Sequence, residues 1–216
     1  MKEGDIVLVD YVGRADGEIF DLTMEDVAEE ENFNAGRQNF EPIPVLVGEG
    51  YVIPGFEEKV KEMEVGDEEE FDIPSEKAYG SRDSDNIETY PEKEFDRQDV
   101  NVNVGDELMI GRRKGRVISK GSGRVRIDFN HPLAGKDLHY RAKINEKVED
   151  DEEKARYIFK YRLGHGEIEF EDDTAVIDHH HEEEDHQHEI PDDVRDAIRE
   201  EIKEYTSFSE VEFREE

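Results

Sequence analysis

Apolar and polar residues alternate near the start of the chain, and this pattern predicts short strands joined by turns. Residues 7–11 place valine and tyrosine at every second position, as in a strand with one buried face. Asp16-Gly17 is a turn signal that follows this strand. Residues 24–40 predict an acidic, partly helical loop, and Ile43–Val47 predicts the next strand.

A short amphipathic helix is predicted after this second strand. Phe56, Val60 and Met63 recur at the i, i+4, i+7 spacing of one helical face. Gly66 follows as the expected C-terminal cap. Residues 71–73 alternate again and predict another strand.

The middle of the chain contains short apolar runs separated by glycine-containing turns, which predict small antiparallel hairpins. The runs are Val100–Val104, Leu108–Ile110, Arg116–Ile118 and Val125–Phe129.

The C-terminal part of the chain is predicted to be mixed α+β. Residues 157–161 alternate as in a strand, and residues 168–170 with 175–177 predict a hairpin. Pro191 begins a predicted helix with one apolar face, and a strand through residues 211–213 follows.

Several sequence strings resemble one protein family. Residues 48–80, GEGYVIPGFEEKVKEMEVGDEEEFDIPSEKAYG, resemble the core of the FKBP-type prolyl isomerases, and the likeness extends over residues 2–147. The string NHPLAG at residues 130–135 resembles the SlyD-type branch, in which an insert-in-flap chaperone domain interrupts the isomerase fold.

The resemblance implies an α+β fold in which an FKBP-like antiparallel sheet wraps on a short helix. Residues 1–83 plus 129–147 would form the isomerase domain, and residues 84–128 the small β-rich insert-in-flap domain. Residues 148–216 would form a small α+β extension, like those of some archaeal long forms of the family.

The same resemblance implies a proline pocket. In the family, the amide at the position of Ile53 holds a substrate carbonyl, the phenol of Tyr79 donates to another, and Asp21 lies at the pocket edge. Phe56 stands where many relatives carry Trp, and Tyr140 where Phe is usual. The implied pocket residues are Tyr11, Phe20, Asp21, Ile43, Val52, Ile53, Phe56, Tyr79 and Tyr140. The alternative is that these aromatic side chains only fill a small β-core.

Prolyl isomerisation needs no nucleophile, metal or proton relay, so no cofactor is expected for catalysis. The barrier is amide resonance, about 18–20 kcal/mol. Twisting the X–Pro bond reduces charge separation across the amide, so a dry apolar pocket favours the twisted state relative to water.

The amino-acid composition indicates the environment in which the protein works. The chain carries 61 acidic and 28 basic residues, a formal net charge of −33. Such self-repulsion destabilises a compact state at low salt, and the composition resembles that of proteins from salt-loving microbes; the alternative is an acidic binding surface. Cysteine is absent, which excludes disulfides and thiol chemistry. Since neither a leader-like nor an 18-residue apolar run occurs, we expect a cytoplasmic protein without membrane association.

One stretch reverses the acidic bias: residues 112–126 contain seven basic residues and no acidic one. It could bind phosphate or RNA, or border a groove for unfolded chains, or simply balance acidic neighbours. The resemblance favours binding of client chains, with apolar contacts from Val102, Leu108, Met109, Ile110, Val117 and Ile118. Nucleic acid is not expected as a partner, because no aromatic residue is interleaved for base stacking.

Histidines cluster in HHHEEEDHQH, residues 179–188. Neutral imidazoles among carboxylates suit Ni²⁺ or Zn²⁺, and some SlyD-type proteins have a nickel-binding histidine-rich tail. The candidate ligands are His179, His180, His181, His186 and His188; a solvated polar loop is the alternative.

The leading hypothesis is therefore a peptidyl-prolyl cis/trans isomerase that accelerates proline-limited folding, while its insert holds unfolded chains containing X–Pro bonds. The alternative is a metal-binding chaperone or metal store that uses residues 179–188. An exposed strand edge in the C-terminal extension could also form a homodimer.

Overall fold

The computed structural model describes residues 1–33, 40–178 and 190–214. The chain divides into two compact units, Met1–Phe71 with His139–Glu216, and Asp72–Leu138. The strands are β1 Ile6–Ala15, β2 Glu18–Leu22, β3 Ile43–Leu46, β4 Glu68–Ile73, β5 Ile87–Pro91, β6 Glu107–Ile110, β7 Arg113–Gly121, β8 Arg124–Asp128, β9 Leu138–Val148, β10 Glu167–Glu171, β11 Thr174–Asp178 and β12 Glu210–Phe213. The α-helices are α1 Glu25–Glu30, α2 Pro54–Glu62, α3 Glu92–Asp96, α4 Asp151–Leu163 and α5 Asp192–Tyr205.

The main sheet of the first unit has the order β2-β1-β9-β4, and β3 also pairs with β1. The first half of β1 pairs antiparallel with β3, and its second half pairs antiparallel with β2. The register shifts between Gly13 and Arg14. Helix α2 buries residues that include Phe56 and Val60. The predicted sheet with a short helix is confirmed.

Helix α2 ends differently from the prediction. Met63 is its C-cap and has extended backbone, so Gly66 is not the cap. Gly66 instead lies in the following turn with φ +94°, and its amide donates to the carbonyl of Ile144 at 2.8 Å. The glycine is needed for this turn, because its positive φ would strain any other residue.

The C-terminal segment packs onto the first unit's sheet. Its buried residues, which include Ile158 and Ile198, form one apolar cluster with Ile6, Leu46 and Tyr51. The predicted hairpin is β10–β11, and β12 adds to β11 in parallel. None of the helices among the described residues is long and apolar enough to cross a membrane.

The predicted strand over residues 157–161 is wrong, because this segment lies within α4. Asp150 accepts from the amide of Glu153 and begins the helix, and Gly164 ends it in the left-handed conformation. Ala155, Ile158 and Phe159 are its buried residues, at helical spacing. The alternating aromatic residues hid that spacing.

The second unit is a four-stranded antiparallel sheet in the order β5-β8-β7-β6. The hairpins predicted from residues 108–110, 116–118 and 125–129 are present as β6, β7 and β8. Residues 100–104 form no strand, although Val102 is buried in the core of this unit.

The motif at residues 130–135 lies in a turn, and the strand that follows it, β9, begins at Leu138. The side chain of Asn130 accepts from the amide of Asp83 at 2.9 Å and donates to the carboxylate of Asp128 at 2.7 Å. Asn130 therefore ties together the two chain segments that flank the sheet of this unit.

Candidate active site

Five aromatic side chains from the sheet and helix of the first unit contact one another. Tyr140 of β9 lies among Phe56 of α2, Phe20 of β2, Tyr11 of β1 and Phe71 of β4, with ring centroids 5.0, 5.8, 5.9 and 6.1 Å away, respectively. Most of these contacts are tilted or edge-to-face, the arrangement that aromatic quadrupoles prefer. Four strands and one helix thus converge on one ring.

Burial separates the floor of this cluster from its walls. Phe56, Tyr140 and Tyr11 are buried, whereas Phe20 and Phe71 are half-exposed. Ile43, Val52 and Ile53 are likewise partly exposed. An aromatic core alone would not need partly exposed rings around a buried floor, so the arrangement favours an apolar surface that a ligand can reach.

Phe71 is a member of this cluster that the sequence reasoning left out. Its alternation with Ile73 predicted a strand, but not which neighbouring strand it would face. The pairing of β4 with β9 brings Phe71 onto Tyr140. A long-range strand order of this kind leaves no local signal in the sequence.

Hydrogen bonds fix the polar edge of the cluster. The Tyr11 hydroxyl donates to the carboxylate of Asp21, and the amide of Leu22 donates to the other oxygen of Asp21 at 3.0 Å. The amide of Tyr11 donates to the hydroxyl of Thr23 at 2.8 Å, and that hydroxyl donates to Asp10 at 2.7 Å. The ring of Tyr11 and the carboxylate of Asp21 are therefore held in place.

The start of α2 presents a backbone donor beside the cluster. Ile53 is the N-cap, and its carbonyl accepts from the amides of Phe56 and Glu57 at 3.0 and 3.1 Å. Pro54 supplies no N–H at the first helical position. The amide of Ile53 itself donates to no acceptor within the described ranges. Its hydrogen bond to a substrate carbonyl stays a prediction.

The loop before α2 is held by a carboxylate from that helix. Glu57 is buried and accepts from the amides of Gly48 and Gly50 at 2.9 and 3.1 Å. Lys61 also pairs with Glu57 at 2.8 Å. Gly48 and Gly50 have φ values of +108° and +67°, a conformation that favours glycine. This loop carries Val52 and Ile53 to the site.

Tyr79 belongs to the second unit. Its ring is 37% exposed and stacks on His131, with centroids 4.0 Å apart and planes 5° from parallel. Burial lowers the pKa of His131, and its Nδ1 accepts from the amide of Leu133 at 3.2 Å. His131 is thus a structural support for Tyr79, and the role of Tyr79 in catalysis stays a prediction.

The candidate client-binding residues of the second unit separate into two groups. Val102 and Val117 are buried in the core of the unit, with Leu108 and Ile110 packed against them. The prediction that Val102 and Val117 contact client chains is therefore wrong, because the unit itself covers their side chains. Ile118 is half-buried, and Met109 is 63% exposed.

Two further apolar side chains of this unit are exposed, and the sequence reasoning did not include them. Val104 is 62% exposed and Val100 is 40% exposed. They flank the buried Val102 in a segment without regular structure.

The basic segment of the second unit is only partly neutralised. Arg113, Lys114 and Lys120 pair with Glu88, Glu107 and Glu92, respectively. A surface groove of about 350 Å³ is lined by Thr89, Ser119, Lys120, Gly121, Ser122, Arg124 and Arg126. No aromatic side chain lines this groove, so base stacking has no platform there.

The candidate metal ligands at residues 179–188 lie outside the described residues. Within residues 1–33, 40–178 and 190–214, no group of three or more His, Cys, Asp or Glu side chains is arranged to hold a metal ion.

Comparison with known proteins matches the sequence of this chain to one family. Residues 1–98 match the family described as FKBP-type peptidyl-prolyl cis-trans isomerase, and residues 89–133 match the FKBP26 IF domain. The chain is 38% identical over 146 residues to a short-type peptidyl-prolyl cis-trans isomerase of Methanocaldococcus jannaschii, covering 68% of this chain and 93% of that protein.

Bacterial relatives show the same likeness over a smaller part of the chain. A probable FKBP-type 16 kDa peptidyl-prolyl cis-trans isomerase of Pseudomonas fluorescens is 29% identical over 59% of this chain and 89% of its own length. The FKBP-type isomerase SlyD of Helicobacter pylori is 29% identical over 48% of this chain and 58% of its own length.

Proposed function

This chain belongs to the family of FKBP-type peptidyl-prolyl cis-trans isomerases, and we propose that its aromatic cluster binds and twists X–Pro bonds while the insert holds unfolded client chains. The observation that carries the proposal is the amide of Ile53, which has no acceptor among the described residues, beside a buried aromatic floor.

The pocket acts by favouring the twisted amide over the planar one. The proline ring lies on Phe56 and Tyr140, with Phe20 and Phe71 as walls. The Ile53 amide donates to a substrate carbonyl and holds the chain in register. Because the apolar surface excludes water, the planar amide loses the solvation that stabilises its larger dipole. Lowering the barrier by ~8 kcal/mol would speed exchange about 10⁶-fold.

Amide chemical shifts, followed while a proline-containing peptide is titrated into the protein, test this binding mode. The amides of Ile53, Phe56 and Phe20 are expected to shift in a saturable way, and those of α5 are expected to stay unchanged. An alanine-for-proline peptide is the matched control. Shifts confined to other surfaces, or equal shifts with the control peptide, would contradict the assignment.

The insert is proposed to bind unfolded chains through its exposed apolar side chains, and its predicted boundaries are residues 84–128. Met109 and Val104 are 63% and 62% exposed, so both apolar side chains are accessible to a client chain. Replacing both with Ser should slow catalysed refolding of a proline-limited protein and leave exchange of a short peptide unchanged. Equal effects on both substrates would remove the proposed division of labour.

Metal binding by residues 179–188 is a separate proposal, supported by the density of imidazoles in that segment. Titration calorimetry with Ni²⁺ and Zn²⁺ should show binding that is lost when His179–His181, His186 and His188 are replaced by Ala. Identical isotherms for the two proteins would end the proposal.

Homodimerisation is proposed through the C-terminal sheet, because β10 and β12 lie at the two edges of its order β10-β11-β12. Light scattering in molar salt should give twice the chain mass. A mass of about 25.1 kDa would refute it.

A further inference from the structure

Helices α4 and α5, from the C-terminal part of the chain, hold the loop that carries the backbone amide of Ile53. This loop, residues 48–53, joins β3 to α2. Tyr51 within it is buried, and its ring stacks on Tyr161 of α4 with centroids 3.5 Å apart and planes 11° from parallel. Tyr51 belongs to the apolar cluster shared with α4 and α5.

Hydrogen bonds reinforce this stacking from both helices. The Tyr51 hydroxyl donates to Glu201 of α5 at 3.0 Å, and the Tyr161 hydroxyl donates to the backbone carbonyl of Tyr51 at 3.3 Å. Tyr205 of α5 donates to Glu49 at 2.6 Å. The loop is therefore held at a side chain, at a backbone carbonyl and at a second side chain.

An ion pair between partly exposed Arg162 and buried Glu201 holds the carboxylate that accepts from the Tyr51 hydroxyl. Glu201 is buried, and Arg162 of α4 binds both of its carboxylate oxygens, with Nε 3.1 Å from Oε2. The Arg162 guanidinium also lies 5.5 Å from the ring of Tyr51 and 5.6 Å from that of Tyr161. Burial and the adjacent Glu201 raise the pKa of Tyr51 well above its usual value, so its hydroxyl remains a donor.

We propose that Tyr51, Tyr161, Arg162 and Glu201 form a clamp through which the C-terminal helices position the active-site loop. The carbonyl held by Tyr161 belongs to the residue two positions before Ile53. Fixing that carbonyl restricts the orientation of the following peptide groups and aims the Ile53 amide at the substrate. Glu57 of α2 holds the same loop through the amides of Gly48 and Gly50, so the clamp adds a second attachment from α4 and α5.

This inference rests on the proposed function, because the clamp matters to catalysis only if the Ile53 amide binds substrate. The clamp residues are positioning residues and do not contact the proline. Their removal should lower kcat more than it raises KM. The reason is that a misdirected Ile53 amide loses its hydrogen bond mainly in the transition state.

The test compares Tyr161→Phe and Glu201→Gln with Tyr157→Phe in the full-length protein. Tyr157 lies on the same helix and packs against the same cluster, and it makes no hydrogen bond to the loop among the described residues. The two clamp variants should reduce kcat for X–Pro exchange about threefold to tenfold, the effect of losing one well-placed hydrogen bond. The Tyr157 variant should not change it.

Hydrogen exchange at the amides of Gly48 and Gly50, which donate to Glu57 within the same loop, provides a second measurement that does not depend on catalysis. Faster exchange in both clamp variants, with Tyr157→Phe unchanged, is the expected result. Unchanged kcat and unchanged amide exchange in folded variants would overturn the clamp. If the wild-type protein catalyses nothing, the proposed function fails, and the amide exchange alone still decides whether the clamp holds the loop.

Discussion

At the scale of single residues, the site depends on where one amide and a few rings are held. Tyr140 contacts four aromatic side chains, and Ile53 offers a backbone donor beside them. Neither residue needs to react chemically in the proposed mechanism. Their proposed contribution is shape, dryness and one directed hydrogen bond, which is what twisting an amide needs.

Tyr79→Phe is predicted to slow X–Pro exchange without unfolding the protein. The substitution removes only the hydroxyl group, and the ring can keep its stack on His131, with centroids 4.0 Å apart. Losing one donor to a substrate carbonyl should lower kcat/KM about threefold to tenfold. Peptide exchange rates check the predicted loss of catalysis, and the circular dichroism spectrum checks that the variant is folded. An unchanged exchange rate would contradict the proposed role of Tyr79.

Glu57→Gln is predicted to loosen the active-site loop. The carboxylate accepts from Gly48 and Gly50 and pairs with Lys61, and it is buried. Charge-assisted bonds of this kind contribute about 1.5–3 kcal/mol, so we expect a loss of unfolding free energy of that order. Chemical denaturation measures it.

Glu62→Gln is the matched control for that variant. Glu62 is on the same helix, pairs with Lys59 at 3.5 Å and is largely exposed. Exposed pairs contribute about 0–1 kcal/mol. Equal losses in the two variants would show that Glu57 has no special role in the loop.

At the scale of elements, the sequence predicted most strands and helices because their periodicity is local. The hairpin β10–β11, helix α5 and helix α2 follow from spacing alone. Helix α4 was missed because alternating aromatics imitate a strand, and its buried face depends on packing against distant residues. The wall residue Phe71 was missed for the same reason, since strand order is a long-range property.

The contacts of Asp128 with Asn130 and Arg82 contribute stability that depends on pH. Burial of Asp128 would raise its carboxyl pKa, but hydrogen bonds from Asn130 and the pairing with Arg82 outweigh burial and lower it. The stabilisation is therefore present above the carboxyl's unfolded pKa and is lost as pH falls through the folded value.

Asp128→Asn is predicted to destabilise the protein at neutral pH and to make no difference in acid. Unfolding free energies of the variant and the wild type should converge as pH falls below the ordinary carboxyl range. A difference in unfolding free energy that stays constant with pH would show that the charge of Asp128 does not contribute to this stability.

At the scale of the whole molecule, net charge sets the conditions under which the chain is stable. A formal charge of −33 opposes compaction, and at about 1 M salt the Debye length falls to about 3 Å. The melting temperature should rise between 0.1 and 1 M KCl and then level off as screening saturates. A melting temperature that ignores salt over this range would contradict the account.

The measurement that tests the central claim most directly is the cis/trans exchange rate of a short X–Pro peptide, followed by NMR in molar salt. The intact protein should accelerate exchange, and Phe20→Leu, which alters a half-exposed wall of the pocket, should reduce the acceleration. Phe213→Leu, at a half-exposed position of β12, should leave it unchanged. No acceleration by folded wild-type protein, or equal effects of the two variants, would contradict the assignment of catalysis to this aromatic pocket.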